Sequence, residues 1–321
     1  MRRRKFIAEL PGAAARSSRT RLCVWVGALA FLLSGVVHAA DDLAIEHQGT
    51  ARHYLMHLPS RAESTALPTL IYLHGLRPAD WKNHTQREID TAADREGFVA
   101  VYPEAIGHRW SYSGVPDEAV QVHGKAADDV GFISSLLDEL VGRKIADPKR
   151  IYVIGDSRGG LMTFEIMCRL ADRIAAGGPL ITGMTESQRE ACKPSVAVPI
   201  LVVAGVNDPI QSYDGWLTEI RRLLSIPETM EFWRQQHGCT GQTRRPLPHR
   251  NEADGTRVAL WEWSGCKTPN AVKLYRVAGG GHQVPSFTPA NPEWVRQAGA
   301  QNRDIETIDE FWNFAKQFSR Q

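Results

Sequence analysis

The sequence predicts an α/β protein built on a mostly parallel, doubly wound sheet with helices on both faces. Three observations predict it. Short apolar runs bounded by turn residues recur along the chain, at Leu70–Leu73, Phe98–Tyr102, Arg150–Ile154, Ile200–Ala204 and Val272–Val277. Such runs suit strands covered on both faces. Helical patterns stand between several of them, near 86–95, 128–142 and 161–170. Finally, Gly155-Asp156-Ser157-Arg158-Gly159-Gly160 joins the third run to the third helical pattern. A sharp strand–turn–helix of this kind pushes its central serine out of the turn, and its flanking positions must be small.

The 321 residues suit one α/β domain, and a composition 43% hydrophobic and 23% charged allows a large core. The formal charge of +2 is uneven. Seven of the 38 Lys and Arg but one of the 36 Asp and Glu fall in residues 1–39, so the remainder carries about −4. That balance argues against nucleic acid as a partner. No zinc-spaced cysteine pair is present, nor a dinucleotide or phosphate-loop glycine pattern, so no cofactor is expected.

Residues 1–39 read as an export signal. Met1–Arg21 is basic, Cys23–Val37 is a 15-residue apolar run, and Val37-His38-Ala39 supplies small residues for cleavage near Ala39. The run is short of the roughly 20 residues of a membrane span. The reading is a signal peptide followed by a single domain over 40–321, secreted or periplasmic, with no stable membrane anchor after cleavage. Arg3-Arg4-Lys5-Phe6-Ile7 resembles a twin-arginine signal but lies far from the apolar run, leaving both export routes open. Beyond Cys23, four cysteines remain, Cys168, Cys192, Cys239 and Cys266, an even number that suggests two disulfides in an oxidising compartment. Three pairings are possible. The favoured one joins Cys168 to Cys192 and Cys239 to Cys266, tying the elbow helix to a later loop and closing a second loop of roughly 27 residues.

In chain order, residues 43–58 read as an edge hairpin. Leu70–Leu73 is a buried strand running into His74-Gly75-Leu76-Arg77-Pro78. The Leu76 backbone N–H is the candidate oxyanion donor, paired with that of Arg158 just after the serine. A helix over about 86–95 ends at Gly97, and Phe98–Tyr102 is the next strand. Residues 103–126 form a long irregular segment, where Trp110 is a candidate cleft wall or a packing residue. Asp128 or Asp129 caps a helix to about Gly142, and Asp147-Pro148 turns into the elbow strand. A short strand is expected near Pro179–Thr182. Ile200–Ala204 ends in Asn207-Asp208-Pro209, which places Asp208 at a strand tip, the station for an acid that holds a histidine tautomer. Ser225 begins a helix that stops at Gly238. Residues 240–252 read as polar and basic, and Thr256–Trp263 as a strand. Val272–Val277 runs into Gly279-Gly280-Gly281-His282, which puts His282 at a close-approaching loop as general base. Ser157, Asp208 and His282 thus follow in one of the known chain orders of a nucleophilic triad. A helix over about 304–318 closes the chain.

With those residues in view, the chain resembles the exported esterases grouped as the polyhydroxybutyrate depolymerase and feruloyl esterase family. The resemblance covers most of residues 50–318. It rests on Tyr72-Leu73-His74-Gly75, Ala93 to Phe98, Asp128 to Phe132, the Gly155–Gly160 elbow, Asn207-Asp208-Pro209, Gly238-Cys239, Gly265-Cys266 and Gly279 to His282. It implies the α/β-hydrolase fold, the Ser157–Asp208–His282 triad, the favoured cysteine pairing, and a small-molecule or oligomeric ester substrate cleaved through an acyl-enzyme. Three positions depart from the family: Leu76-Arg77-Pro78 replaces a Gly-rich run, Arg158 replaces an asparagine, and Val284 replaces a tryptophan. Rival readings on related grounds are a prolyl-oligopeptidase-like serine peptidase and a non-catalytic binding protein of the same fold.

Overall fold

The computed structural model describes residues 41–60, 66–76, 79–115, 120–219 and 221–321. The export segment 1–39, with its apolar run and cleavage point, lies outside them, as do Arg77 and Pro78.

Ten strands form one sheet: β1 (Asp41–His47), β2 (Thr50–His57), β3 (Leu67–Leu73), β4 (Val99–Pro103), β5 (Ala146–Asp156), β6 (Ala176–Leu180), β7 (Ile200–Gly205), β8 (Gly241–Pro246), β9 (Arg257–Ser264) and β10 (Val272–Ala278). Their order is β1-β2-β4-β3-β5-β6-β7-β10-β9-β8. The six from β4 to β10 are mutually parallel, and antiparallel strands close both edges. The parallel strands alternate between two cores. Ile151 and Val153 enter one with Ile71, Leu73, Ile200 and Val202, whereas Tyr152 and Ile154 enter the other with Leu70, Tyr72, Leu201 and Val203. Period-two side chains on a sheet covered on both faces produce this split, which explains the continuous apolar runs.

The helices supply the covers. The first core takes α2 (Asp129–Gly142), α3 (Arg158–Arg169) and α5 (Ile226–His237) through Phe132, Leu136, Phe164 and Trp233. The second takes α1 (Ala79–Glu96) and the C-terminal helix (Thr307–Ala315) through Ile89, Ile308, Phe311 and Trp312. Ends follow local chemistry. Asp128 accepts from Gly131 N–H to cap α2. Ser225 and Glu228 form a reciprocal capping box at α5, which stops at Gly238 with φ 61°.

Some elements differ from the sequence reading. The strand expected near Pro179–Thr182 spans Ala176–Leu180. Its glycines hide it, yet they are there for packing: a Cβ on Gly177 would lie 2.3 Å from Met167 Sδ, and one on Gly178 would lie 2.5 Å from Phe311. The polar stretch after Cys239 contains the edge strand β8, whose exposed Thr and Arg side chains carry no burial signal and whose Pro246 fits a sheet edge. Pro148 lies inside β5, not in a turn before it. Two short helices, α4 (Glu186–Ala191) and α6 (Pro292–Ala298), were not legible in the loops that hold them.

Cys168 pairs with Cys192, fastening α3 to the end of α4, and Cys239 pairs with Cys266 across 27 residues. Closing a loop of that length restricts the unfolded chain by about 3 kcal/mol. Replacing Cys239 and Cys266 together by alanine is expected to lower unfolding stability by about that amount. Urea unfolding checks it; an unchanged midpoint would show that the crosslink does not stabilise the fold.

Candidate active site

Ser157 sits at the junction of β5 and α3 with φ 54° and ψ −117°, a conformation rare for a residue with a side chain. Its surroundings enforce it. A Cβ on Gly159 would lie 1.9 Å from the Leu73 carbonyl oxygen, and one on Gly155 would lie 2.5 Å from that of Gly159. The backbone can cross there only without side chains. Ser157 N–H donates to the Leu180 carbonyl (2.9 Å), fixing the turn to β6.

Two other strand ends meet the serine. Asp208 follows β7, and its Oδ1 accepts from the N–H groups of Ile210 and Gln211, both at 2.8 Å. His282 follows β10 in a loop wedged against its neighbours. His282 N–H donates to the Ala298 carbonyl at 2.6 Å, Gly281 N–H to that of Ala300 at 2.8 Å, and Asn207 N–H to that of Gly280 at 2.8 Å. A Cβ on Gly281 would lie 2.1 Å from the Ala298 oxygen. The glycine run is therefore a close-packing device that couples the histidine loop to the aspartate loop.

The result is a continuous relay. Asp208 Oδ2 lies 2.7 Å from His282 Nδ1, and His282 Nε2 lies 2.9 Å from Ser157 Oγ. An ionised Asp208 can only accept, so Nδ1 carries the proton and the Nε2 lone pair faces the serine hydroxyl. All three residues are buried, with Ser157 and Asp208 each below 10% exposed. This arrangement can take the proton from Ser157 as its oxygen attacks an electrophile.

Ser157 and His282 open into a cleft of about 160 Å3. Leu76 and Arg158, the two residues with candidate oxyanion N–H groups, line it too. The N-terminus of α3 points its partial positive charge at the same place. Trp110 does not form the wall. It is fully buried, and its Nε1–H donates to the His74 carbonyl at 2.8 Å. Two residues on, Tyr112 lines the cleft in its place. The irregular segment that carries both is pinned by buried carboxylates. Asp129 accepts from Ser111 N–H, and Glu165 accepts from the N–H and hydroxyl of Ser113. Burial raises the Asp129 pKa, against the lowering pull of Arg52.

Sequence reasoning missed what holds the Leu76 loop. Asp156, fully buried just before the serine, accepts from Tyr72 Oη–H at 2.6 Å and from Gly75 N–H at 3.1 Å. His74 adds a second tie. Ala105 N–H donates to its Nε2 (3.2 Å), so its proton lies on Nδ1 and is given to the Gly75 carbonyl (2.8 Å). One carboxylate thus joins the serine turn to the backbone immediately before Leu76. The available signal was an acid and a tyrosine at the ends of two apolar runs, Leu70–Leu73 and Ile151–Ile154.

A carboxyl pair lies just beyond the histidine loop. Ser286 Oγ stands 2.6 Å from Glu88 Oε1 and 2.9 Å from Glu306 Oε2. One hydroxyl proton serves one of these contacts, so the other needs a protonated carboxyl as donor. Consistent with this, burial and then the neighbouring Glu88 charge push Glu306 up to about 7. Burial also raises Glu88.

Within the esterase PHB depolymerase family, the model of that family matches residues 52–227. The bifunctional acetylxylan esterase/xylanase XynS20E of Neocallimastix patriciarum is 28% identical over 77% of this chain and 33% of its own length. Feruloyl esterase B of Piromyces equi is 28% identical over 68% of this chain and 40% of its own. The chain thus spans about a third and two fifths of these relatives. Among solved structures, an acetyl xylan esterase from Aspergillus awamori superposes with a TM-score of 0.56 at 11% identity, covering 86% of this chain and 99% of that one. The likeness shows the α/β-hydrolase fold.

Two predictions follow from the geometry. Asp156→Ala strands the buried Gly75 N–H, at a cost of about 1–3 kcal/mol, and should lower kcat on an ester about tenfold or more with little change in KM. Asp156→Asn, which keeps an acceptor, should retain most of kcat; steady-state kinetics distinguish the two. Between about pH 4.5 and 7 the folded chain keeps a Glu306 proton that the unfolded chain releases, so stability falls as pH rises through that window. Glu306→Gln should therefore raise stability at pH 8 by about 1–2 kcal/mol, after allowing for solvent screening, and leave pH 4 unchanged. Thermal unfolding across pH checks the sign.

Proposed function

This chain belongs to the esterase PHB depolymerase family, and from that premise we propose that it is an exported serine esterase with Ser157, His282 and Asp208 as its catalytic triad. The observation that carries the reading is the hydrogen-bonded relay from Asp208 through His282 to a strained, cleft-facing Ser157. His282 Nε2 takes the hydroxyl proton while Ser157 Oγ attacks the ester carbonyl. Asp208 holds the tautomer and stabilises the imidazolium. The backbone N–H groups of Leu76 and Arg158 receive the oxyanion, assisted by the α3 N-terminus. His282 then protonates the departing alcohol, and a water activated by the same histidine releases the acyl group from Ser157.

Substrate class follows from the cleft and the relatives. Leu161, Leu223 and Trp216 give it an apolar lining, and its volume suits a short acyl group or one aromatic ring. Short hydroxyalkanoate esters or oligomers and aromatic acyl esters such as ferulates meet that description. Export is supported by the two disulfides and by the basic and apolar N-terminal sequence.

Initial rates on methyl ferulate and on a 3-hydroxybutyrate oligomer test the proposal. Turnover of at least one is expected, with Ser157→Ala reducing kcat by about 10,000-fold or more. Turnover that survives in Ser157→Ala would remove Ser157 as nucleophile, and no turnover of either ester by folded protein would remove both substrate classes.

A further inference from the structure

The Leu76 N–H can receive an oxyanion only if its peptide group faces the cleft. The Leu76 side chain is 52% exposed, so its own packing leaves the rotation of that peptide open. Hydrogen bonds on two successive peptide groups fix it instead. A trans peptide points its N–H away from its carbonyl, so holding one end aims the other. The Gly75–Leu76 peptide is held at its carbonyl, which accepts from His74 Nδ1–H at 2.8 Å. The His74 ring is steadied in turn by Ala105 N–H, which donates to Nε2 at 3.2 Å. The His74–Gly75 peptide is held at both ends. Its carbonyl accepts from Trp110 Nε1–H at 2.8 Å, and its N–H donates to Asp156 Oδ1 at 3.1 Å.

A buried indole N–H ordinarily finds a carbonyl partner; what matters here is which carbonyl it finds. Trp110 is fully buried, with its ring centre 5.1 Å from that of His74. Its backbone is fastened on two sides. The next residue, Ser111, donates its N–H to buried Asp129 at 2.7 Å, and the Trp110 carbonyl accepts from Arg158 Nε–H at 3.3 Å. Arg158 is also the residue whose backbone N–H is the second candidate oxyanion donor. The Arg158 side chain, Trp110 and the His74 carbonyl therefore form a strut between the two donors. Asp156 forms another strut from the same elbow to the same peptide. Two struts that grip one peptide group at opposite ends stop it from rotating, and loss of either leaves a hinge.

We propose that Trp110 is a positioning residue for the oxyanion hole, setting the direction of the Leu76 N–H through the His74–Gly75 peptide. This rests on the serine esterase reading above and adds to it a residue that acts without touching the substrate. When Ser157 Oγ bonds to the ester carbonyl carbon, the π pair of the C=O bond moves onto its oxygen and the hydroxyl proton moves to His282 Nε2. The charge on that oxygen develops only in the transition state and the tetrahedral intermediate. A misaimed donor therefore slows the reaction without weakening substrate binding.

Two replacements of Trp110 test this: Trp110→Phe, and site-specific benzothienylalanine, which keeps the shape of the indole with sulfur in place of N–H. For each, kcat and KM on 4-nitrophenyl butyrate are measured beside the Ki of the trifluoromethyl ketone analogue of butyrate, which Ser157 captures as a hemiketal oxyanion. Ser157→Ala serves as the blank, and thermal unfolding establishes that each variant is folded. Both replacements should lower kcat about tenfold or more, hold KM within about twofold, and raise the Ki by the factor that kcat loses. A tryptophan that only fills space would lower the unfolding temperature and leave kcat and Ki alone. If Trp110→Phe does not fold, the benzothienyl variant, which deletes only the donor, decides. Unchanged kcat and Ki in that folded variant would overturn the inference and leave the esterase reading standing. A rise in KM with kcat unchanged would overturn it too. If the unaltered protein neither hydrolyses the ester nor captures the ketone, the esterase reading falls and the inference with it.

Discussion

The structure depends on a close crossing of backbones beneath Ser157. The end of β5, the start of α3 and the end of β3 meet at distances that admit no Cβ on Gly155 or Gly159. That crossing forces the positive φ of Ser157 and drives its hydroxyl out of the sheet. It also brings the β3 end near enough for Asp156 to hold Gly75 N–H. The strain of the turn is balanced by packing: β5 lies at the centre of the sheet, with both of its faces buried by helices.

Around this crossing, each part of the site comes from the C-terminal end of a neighbouring parallel strand. The Leu76 loop follows β3, Ser157 follows β5, Asp208 follows β7 and His282 follows β10. Open α/β sheets place ligands at that edge, where helix N-termini and loops converge. The loops are not independent. Asn207 N–H reaches the Gly280 carbonyl, so the Asp208 loop is tied to the His282 loop, while Asp156 couples the serine turn to the Leu76 loop. Asp129 and Glu165 then fasten the segment that brings Tyr112 to the cleft. Preorganisation of this kind lets hydrogen bonds act on a transition state without rearrangement.

Much of this was legible in the sequence for a physical reason. A serine elbow, an acid at a strand tip and a histidine behind glycines all impose local backbone demands, and local demands leave residue signatures. The start of α5 at Ser225 was readable likewise, and the cysteine pairing favoured among three possible ones is the pairing observed. The parts that were not legible depend on distant partners. Trp110 offers an aromatic surface in either role; only the His74 carbonyl opposite its indole makes it a packing residue. Gly177 and Gly178 weaken a strand pattern because Met167 and Phe311 occupy the space above them. β8 is an exposed edge, so no apolar face marks it. Asp156 and Tyr72 meet across 84 positions of sequence, and spacing carries no trace of that contact.

The central claim is that the packed turn presents Ser157 as a nucleophile activated by His282. Its most direct test is covalent labelling with a fluorophosphonate, followed by intact-mass measurement and peptide mapping. The account predicts one stoichiometric adduct, mapped to Ser157, formed rapidly by the native protein and at least about 1,000-fold more slowly by His282→Ala. An adduct on another residue, or labelling of Ser157 at an undiminished rate in His282→Ala, would contradict it.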